Sequence, residues 1–327
     1  MEKLGDIQEI FSFRDAAFLS ETHLLLIDEA ANLWEVDLCA DASWKTPRKI
    51  IRGGTLLRPV AKALGQSLNF WMKPAAGAYP RLALCPEKQL VIVNSHDLVC
   101  VAYSLDQAGK PELVCCAWGH YYPTFEFSTG GDFLIVNSAE EIIAFDPATW
   151  EFLEVEGQFK ASVFHPSKTQ LLVLKENNEL GWFNFSKGSL QPQYLALGTL
   201  QDLGPDVSLG INTQGNECVV LSKYDGAQLW CALDPFEEID PKAQQFNSRT
   251  AARKNKCWLA HYREDDTLDI LNVDSKEFLL ASFPAKTLIR FSPSGQYAAT
   301  IAFEVFSENP YLVKPQLPSG KVSIWRL

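Results

Sequence analysis

Short apolar runs separated by polar turns recur along this chain, and one arrangement of them returns seven times. A hydrophobic strand, a polar turn and a second hydrophobic strand follow one another in HLLLIDEAANLWEVDL (from His23), QLVIVNSHDLVCVAYSL (Gln89), DFLIVNSAEEIIAFDP (Asp132) and QLLVLKENNELGWFNFS (Gln170). The pattern continues in ECVVLSKYDGAQLWCAL (Glu217), CWLAHYREDDTLDILNVD (Cys257) and QYAATIAFE (Gln296), which rejoins GKVSIWRL at the C-terminus. Most copies are preceded by a shorter apolar stretch ending in turn residues: PRLALCPEK, YPTFEFSTGG, KASVFHPSK, VSLGINTQG and TLIRFSPSG. Most are followed by a more polar fourth stretch: PRKIIRG, PELVCCAWG, EFLEVEG, QYLALG and KEFLLASF. Apolar runs rich in β-branched and aromatic residues, bounded by Pro, Gly, Ser and Asn, predict strands joined by reverse turns.

Four antiparallel strands per repeat, at roughly 40 residues each, match the blade of a β-propeller. Seven repeats predict an all-β fold: a single seven-bladed β-propeller of four-stranded antiparallel blades, covering residues 1–327 as one domain. The last copy ends at Leu327 without a fourth strand, whereas LGDIQEI near the N-terminus is a strand without a blade. Pairing the N-terminal strand with the C-terminal blade would close the ring and remove its open edges. Two insertions interrupt the repeat, 55–79 after the first blade and 304–319 in the last.

Composition narrows the setting. The chain is 47% hydrophobic, enough for a large core, with no apolar run long enough for a membrane-spanning helix. MEKLGDIQEI lacks the basic start and apolar stretch of a secretory signal. Four of the eight cysteines (Cys85, Cys100, Cys218, Cys231) fall inside hydrophobic strands and no CxxC pair occurs, which fits a reduced, intracellular and cytoplasmic protein. The net charge of −11 is unevenly spread. Segments 42–86 and 241–263 hold fourteen of the 29 basic residues and none of the 40 acidic ones. The remainder is strongly acidic and would repel nucleic acid and anionic membranes, leaving segment 45–73 as the exception.

Strings such as LIRFSPSGQYAAT…SGKVSIWRL and VVLSKYDGAQLW resemble WD40-type propeller repeats over nearly the whole chain. The family's tryptophan stands at Trp34, Trp230 and Trp325, followed by Glu35, Cys231 and Arg326 where the family has Asp. Asp28 lies six residues before Trp34 and Asp97 six before Tyr103, and one Gly-His pair occurs, Gly119-His120. The resemblance implies a structural network in which His120 hydrogen-bonds to Ser138 and to Glu140 or Glu141. Asp28 with Trp34 and Asp97 with Tyr103 would be its counterparts in other blades. It also implies a non-catalytic scaffold that binds a protein or peptide through rim loops.

Residue chemistry offers fewer leads. No GxSxG, HExxH, phosphate-binding loop or dinucleotide-binding glycine pattern is present, so no catalytic residue and no cofactor is predicted. His96, Asp97 and His120 are the candidate metal ligands if their loops share one rim, although nothing in their spacing is diagnostic. An enzyme or small-ligand binder using the central channel is the alternative reading. For partner binding the candidates are Arg52, Arg58, Phe70 and Trp71 in the basic segment, and Phe306, Tyr311 and Leu312 in the proline-rich insertion. Basic and apolar residues interleaved in this way suit an acidic protein, a phosphoinositide headgroup or RNA. Phosphoinositide-binding propellers carry paired arginines, whereas IIRGG has Arg52 alone. The plain alternative is an edge strand protected by Lys and Arg. A subunit of a larger complex is a further expectation.

Overall fold

The structure, a computed structural model, describes residues 2–7, 12–39, 42–64, 81–94, 98–106, 111–117, 124–137, 142–153, 155, 157–189, 191–201, 204, 207–222, 227–239, 258–262, 268–281, 287–303 and 320–327. Strand β1 (Glu2–Asp6) opens the chain. The first sheet takes β2 (Phe13–Phe18), β3 (His23–Asp28), β4 (Leu33–Asp37) and β5 (Arg48–Ile51), in that order. Helices α1 (Gly53–Leu56) and α2 (Arg58–Leu64) follow. Then come β6 (Arg81–Cys85), β7 (Leu90–Asn94), β8 (Leu98–Ser104) and β9 (Glu112–Ala117). The third sheet is β10 (Thr124–Phe127), β11 (Leu134–Asn137), β12 (Ile142–Asp146) and β13 (Glu151–Leu153). The fourth is β14 (Phe159–Phe164), β15 (Gln170–Lys175), β16 (Glu179–Asn184) and β17 (Gln193–Thr199). The fifth is β18 (Val207–Ile211), β19 (Glu217–Ser222), β20 (Gln228–Leu233) and β21 (Phe236–Ile239). The sixth shows β22 (Trp258–Tyr262), β23 (Leu268–Asn272) and β24 (Glu277–Ala281) among the described residues. The seventh is β25 (Thr287–Phe291), β26 (Tyr297–Phe303) and β27 (Gly320–Arg326), completed by β1.

Every sheet is an antiparallel meander in chain order, and both ends of the chain meet in the seventh. The architecture is all-β, that of a seven-bladed β-propeller. One strand escaped the sequence pattern. In β21, FEEI, adjacent glutamates break the apolar alternation that marks the other fourth strands. The chain divides into two compact units, Met1–Tyr122 with Lys286–Leu327, and Pro123–Ala285. Among the described residues no helix is long and apolar enough to cross a membrane.

Turns after first strands share one device. The side chain of the first turn residue accepts backbone N–H groups that the reversal would leave unpaired. Ser128 accepts from Phe133 at 2.9 Å, Ser292 from Tyr297 at 3.1 Å, and Asn212 from Asn216 at 3.1 Å. In the fourth sheet His165 takes this part, its Nδ1 accepting from the Ser167 and Lys168 amides, both at 3.1 Å.

Sheets are tied to one another through side chains of their first strands. A β-bulge in β2 falls at Arg14, between the pairs Phe13–Asp28 and Asp15–Ile27. Arg14 Nη2 donates to Glu29 Oε2 at 3.1 Å. The fully buried Asp15 accepts from the Ala16 amide (2.8 Å) and from the Leu82 amide of the second sheet (2.9 Å). It also holds Arg290 Nη2 of the seventh sheet, 3.0 Å from Oδ1. One carboxylate therefore joins β2, β6 and β25. Removing one partner of a buried ionic group leaves charge and donors unsatisfied, at about 3–5 kcal/mol. Asp15→Ala is expected to lower unfolding stability by about that amount, and Asp15→Asn by less because the amide keeps an acceptor oxygen. Urea denaturation with an unchanged m-value checks this.

Closure of the seventh sheet carries its own polar lock. β1 pairs with β27 from Glu2–Arg326 to Asp6–Ser323. Ile7 donates to the Val322 carbonyl at 2.9 Å and buries its side chain with Phe13, Ala16, Val322 and Ile324. Asp6 accepts from Ser323 Oγ at 2.6 Å, with Lys3 Nζ at 2.6 Å and Lys321 Nζ at 3.4 Å. Partial burial pushes the Asp6 carboxyl up. The hydrogen bonds from Lys3 and Ser323 and the charges of Lys3 and Lys321 outweigh it, so the net shift is downward. A carboxyl lowered in the folded state contributes stability above its unfolded pKa, and the contribution is lost as pH falls through the folded value. Amide exchange at residues 2–6, corrected for intrinsic rates, is thus expected to accelerate below about pH 4 in the wild type. In Asp6→Asn it should be faster at neutral pH and lack that acid-dependent step.

Candidate functional site

The exposed cations of the basic segment rest on a buried apolar footing. Helices this short do not hold in water by propensity alone, so packing must fix them. Leu56, Leu57, Val60 and Ala61 supply it. They join Leu25, Ile27 and Leu33 of the first sheet and Leu82, Val93, Val101 and Tyr103 of the second in one core cluster. Each fully buried leucine or valine contributes about 1.5–3 kcal/mol. The spacing of the buried positions turns Arg52, Arg58 and Lys62 outward, and all three are exposed. Among the described residues none of the three pairs with a carboxylate.

A polar relay seats the start of α1. Asp28, nearly fully buried at the end of β3, accepts from Trp34 Nε1 at 2.9 Å, from the Asn32 amide at 2.9 Å and from Asn32 Nδ2 at 2.8 Å. Asn32 Oδ1 in turn accepts from the Gly53 amide at 3.0 Å. Gly53 is pressed onto the turn so closely that a Cβ would overlap the Ala30 carbonyl oxygen. The β3–β4 turn thereby carries the helical segment on its back, immediately beside Arg52.

Other cations of the segment are already engaged. Arg48 forms an ion pair with Glu35 on the neighbouring strand, which raises its already high pKa. Lys49 lies over the Trp34 ring at 4.4 Å and Lys45 over Trp44 at 5.7 Å. β5 is also the outer strand of its sheet, so Arg48 and Lys49 sit where edge charges oppose strand pairing.

Of the sequence candidates, Arg52 and Arg58 are both exposed, and Asp28 and Trp34 are joined by a hydrogen bond within the first sheet. Tyr103 is buried in the cluster under the helices. Phe70, Trp71, His96, Asp97, His120, Ser138, Glu140, Phe306, Tyr311 and Leu312 lie outside the described residues. Sequence reading missed Asn32 and Gly53. The contact between Gly53 and Asn32 spans 21 residues and leaves no local trace. Lys62, third cation of the face, was counted in the basic segment without being singled out. No protein-family model matches the chain, and no curated protein matches it either.

Adding a methyl group at Gly53 must displace backbone rather than a flexible side chain, and overpacking of this kind costs about 1–3 kcal/mol. Gly53→Ala is expected to destabilise by that amount and to speed amide exchange across residues 53–64 more than in β7 or β8. Uniform protection in the variant would contradict the relay.

Proposed function

We propose that this protein is an intracellular, non-catalytic interaction scaffold of WD40-like type that binds a protein partner through an acidic segment. The observation that carries this reading is the cation set Arg52, Arg58 and Lys62: three exposed cations without carboxylate partners among the described residues, in or next to helices anchored by buried leucines. A rigid mount lowers the ordering cost of binding, because only the side-chain tips remain to be fixed.

Charge distribution favours a protein over a polymer or a bilayer. Segment 42–86 carries eight basic residues and no acidic one, while the whole chain is at −11. Screening at physiological salt reaches about 8 Å, so a short acidic peptide feels only the local face. An extended polyanion such as RNA or an anionic membrane also meets the acidic remainder. In support of WD40-like kinship, Trp325 Nε1 donates to Thr300 Oγ1 at 2.9 Å, so a third-strand tryptophan is again held by a polar residue of its own sheet, as Trp34 is by Asp28.

The test is a fluorescence-anisotropy titration of the full chain with a labelled deca-glutamate peptide, beside phosphoinositide-containing vesicles and single-stranded RNA. Peptide binding is expected to weaken with salt and to fall about tenfold or more in Arg52→Glu/Arg58→Glu, whose melting temperature should stay within about 2 °C of wild type. Preferential binding of vesicles or RNA, or peptide binding insensitive to the double reversal, would overturn the assignment.

A further inference from the structure

The outer edge of the fourth sheet has a property that sets it apart. A fourth strand presents unpaired N–H and C=O groups along its outer side, and proteins blunt such edges with charge, proline, brevity or bulges. β5 carries Arg48 and Lys49, β9 and β24 each a glutamate, β13 is three residues long, β21 carries Glu237 and Glu238, and β1 carries Glu2, Lys3 and Asp6. β17 reads QYLALGT: seven residues with neither charge nor proline, the longest of these outer strands. Its first four residues pair in regular register with β16, and the only irregularity falls beyond Ala196. Among the described residues no strand pairs with its outer edge. Leu195 is 56% exposed there, one of two large hydrophobic residues exposed to that degree among the described residues.

β17 is also held stiff from within. Tyr194 donates to Glu179 Oε1 at 2.8 Å, stacks on Phe183 with centroids 4.9 Å apart, and lies under Lys175 Nζ at 3.6 Å. The outer strands of the third and fifth sheets, whose cores β17 joins, are acidic. Phe236 of β21 packs over Gly198, and the same strand carries the exposed Glu237 and Glu238. Tyr194 packs against the cluster that also contains Leu153 of β13, the strand that carries the exposed Glu151.

We infer that β17 is a docking edge for an extended segment of another protein, which adds as a further strand and carries apolar side chains with basic residues at its ends. Main-chain hydrogen bonds to β17 supply the affinity, Leu195 the apolar contact, and the flanking carboxylates the preference for basic ends. The same carboxylates oppose pairing with a second copy, since two such edges would bring like-charged flanks together. This surface is independent of the Arg52–Arg58–Lys62 face and does not rest on the reading given to it.

The test is selection of displayed random nine-residue peptides on the immobilised full chain. Recovered sequences are expected to alternate apolar residues between Lys or Arg ends and to protect amides of residues 193–199 from exchange. Their affinity should fall about tenfold or more in Leu195→Lys, which puts a charge on the exposed edge without touching the core, and in Glu237→Lys/Glu238→Lys, which leaves β17 itself intact. No enrichment over the Leu195→Lys protein, or peptides that protect another region, would overturn the proposal. Concentration-dependent dimerisation abolished by Leu195→Lys would overturn it too, by making a second copy the occupant.

Discussion

The buried carboxylate of Asp15 addresses a problem built into any stack of antiparallel meanders. Each sheet satisfies its backbone internally, except along the free sides of its two edge strands, the first and the fourth, and of these the first strand lies against its neighbours. There N–H groups face the neighbouring sheet with no ladder to join. Asp15 of β2 accepts the Leu82 amide of β6 and neutralises itself against Arg290 of β25. In the other unit Glu126 of β10 does the corresponding work for the Phe164 amide of β14, at 3.2 Å. Acids on first strands thus stand in for the missing ladder, and burying Asp15 is tolerable because it receives several donors.

Bulges in the first strands belong to the same solution. An extra residue in β2 is Arg14, and in β14 the irregularity falls at Lys160. Each cation reaches the second turn of its own sheet: Arg14 to Glu29, and Lys160 to Asn178 Oδ1 at 2.7 Å, with a further bond to the Gly204 carbonyl at 3.0 Å. The bulge twists the strand and frees one side chain to tie the turn down. In the first sheet that turn is the one whose Asn32 seats Gly53. The start of α1, next to the exposed Arg52, therefore takes its position from polar contacts that begin at the sheet's first strand.

How much of this was legible depends on the range of each interaction. Strands and turns were, because their signals are local: apolar alternation in QLLVLK and Ser, Asn and Gly at the reversals are visible within a few residues. β21 was not, since Glu237 and Glu238 hide a strand whose only packed residues are its ends. The helical run was overlooked for the opposite reason. Leu56, Leu57, Val60 and Ala61 do repeat at a helical interval, but over too few residues to outweigh a loop reading. Asp15 was beyond reach, because its partners stand 67 and 275 residues away. β17 is an intermediate case. QYLALG reads as a strand, yet its lack of charge acquires meaning only once the sheet order makes it an outer edge.

The two surfaces differ in the physics that would hold a partner. Contacts to Arg52, Arg58 and Lys62 are between solvated charges, each pair worth at most about 1 kcal/mol and diminished by salt. They favour fast encounter and weak retention. Pairing along β17 uses backbone groups that water already satisfies in the free protein, so its net gain per bond is also modest, about 0.5–1.5 kcal/mol, but it is directional and register-specific, and its main-chain part is nearly indifferent to ionic strength. Salt should therefore weaken contacts to the arginines more than pairing along the edge, where it screens only the flanking carboxylates. A protein with one binding surface of each kind would exchange one partner quickly while keeping another in place, and that difference would follow from which residues the chain leaves charged and which it leaves bare.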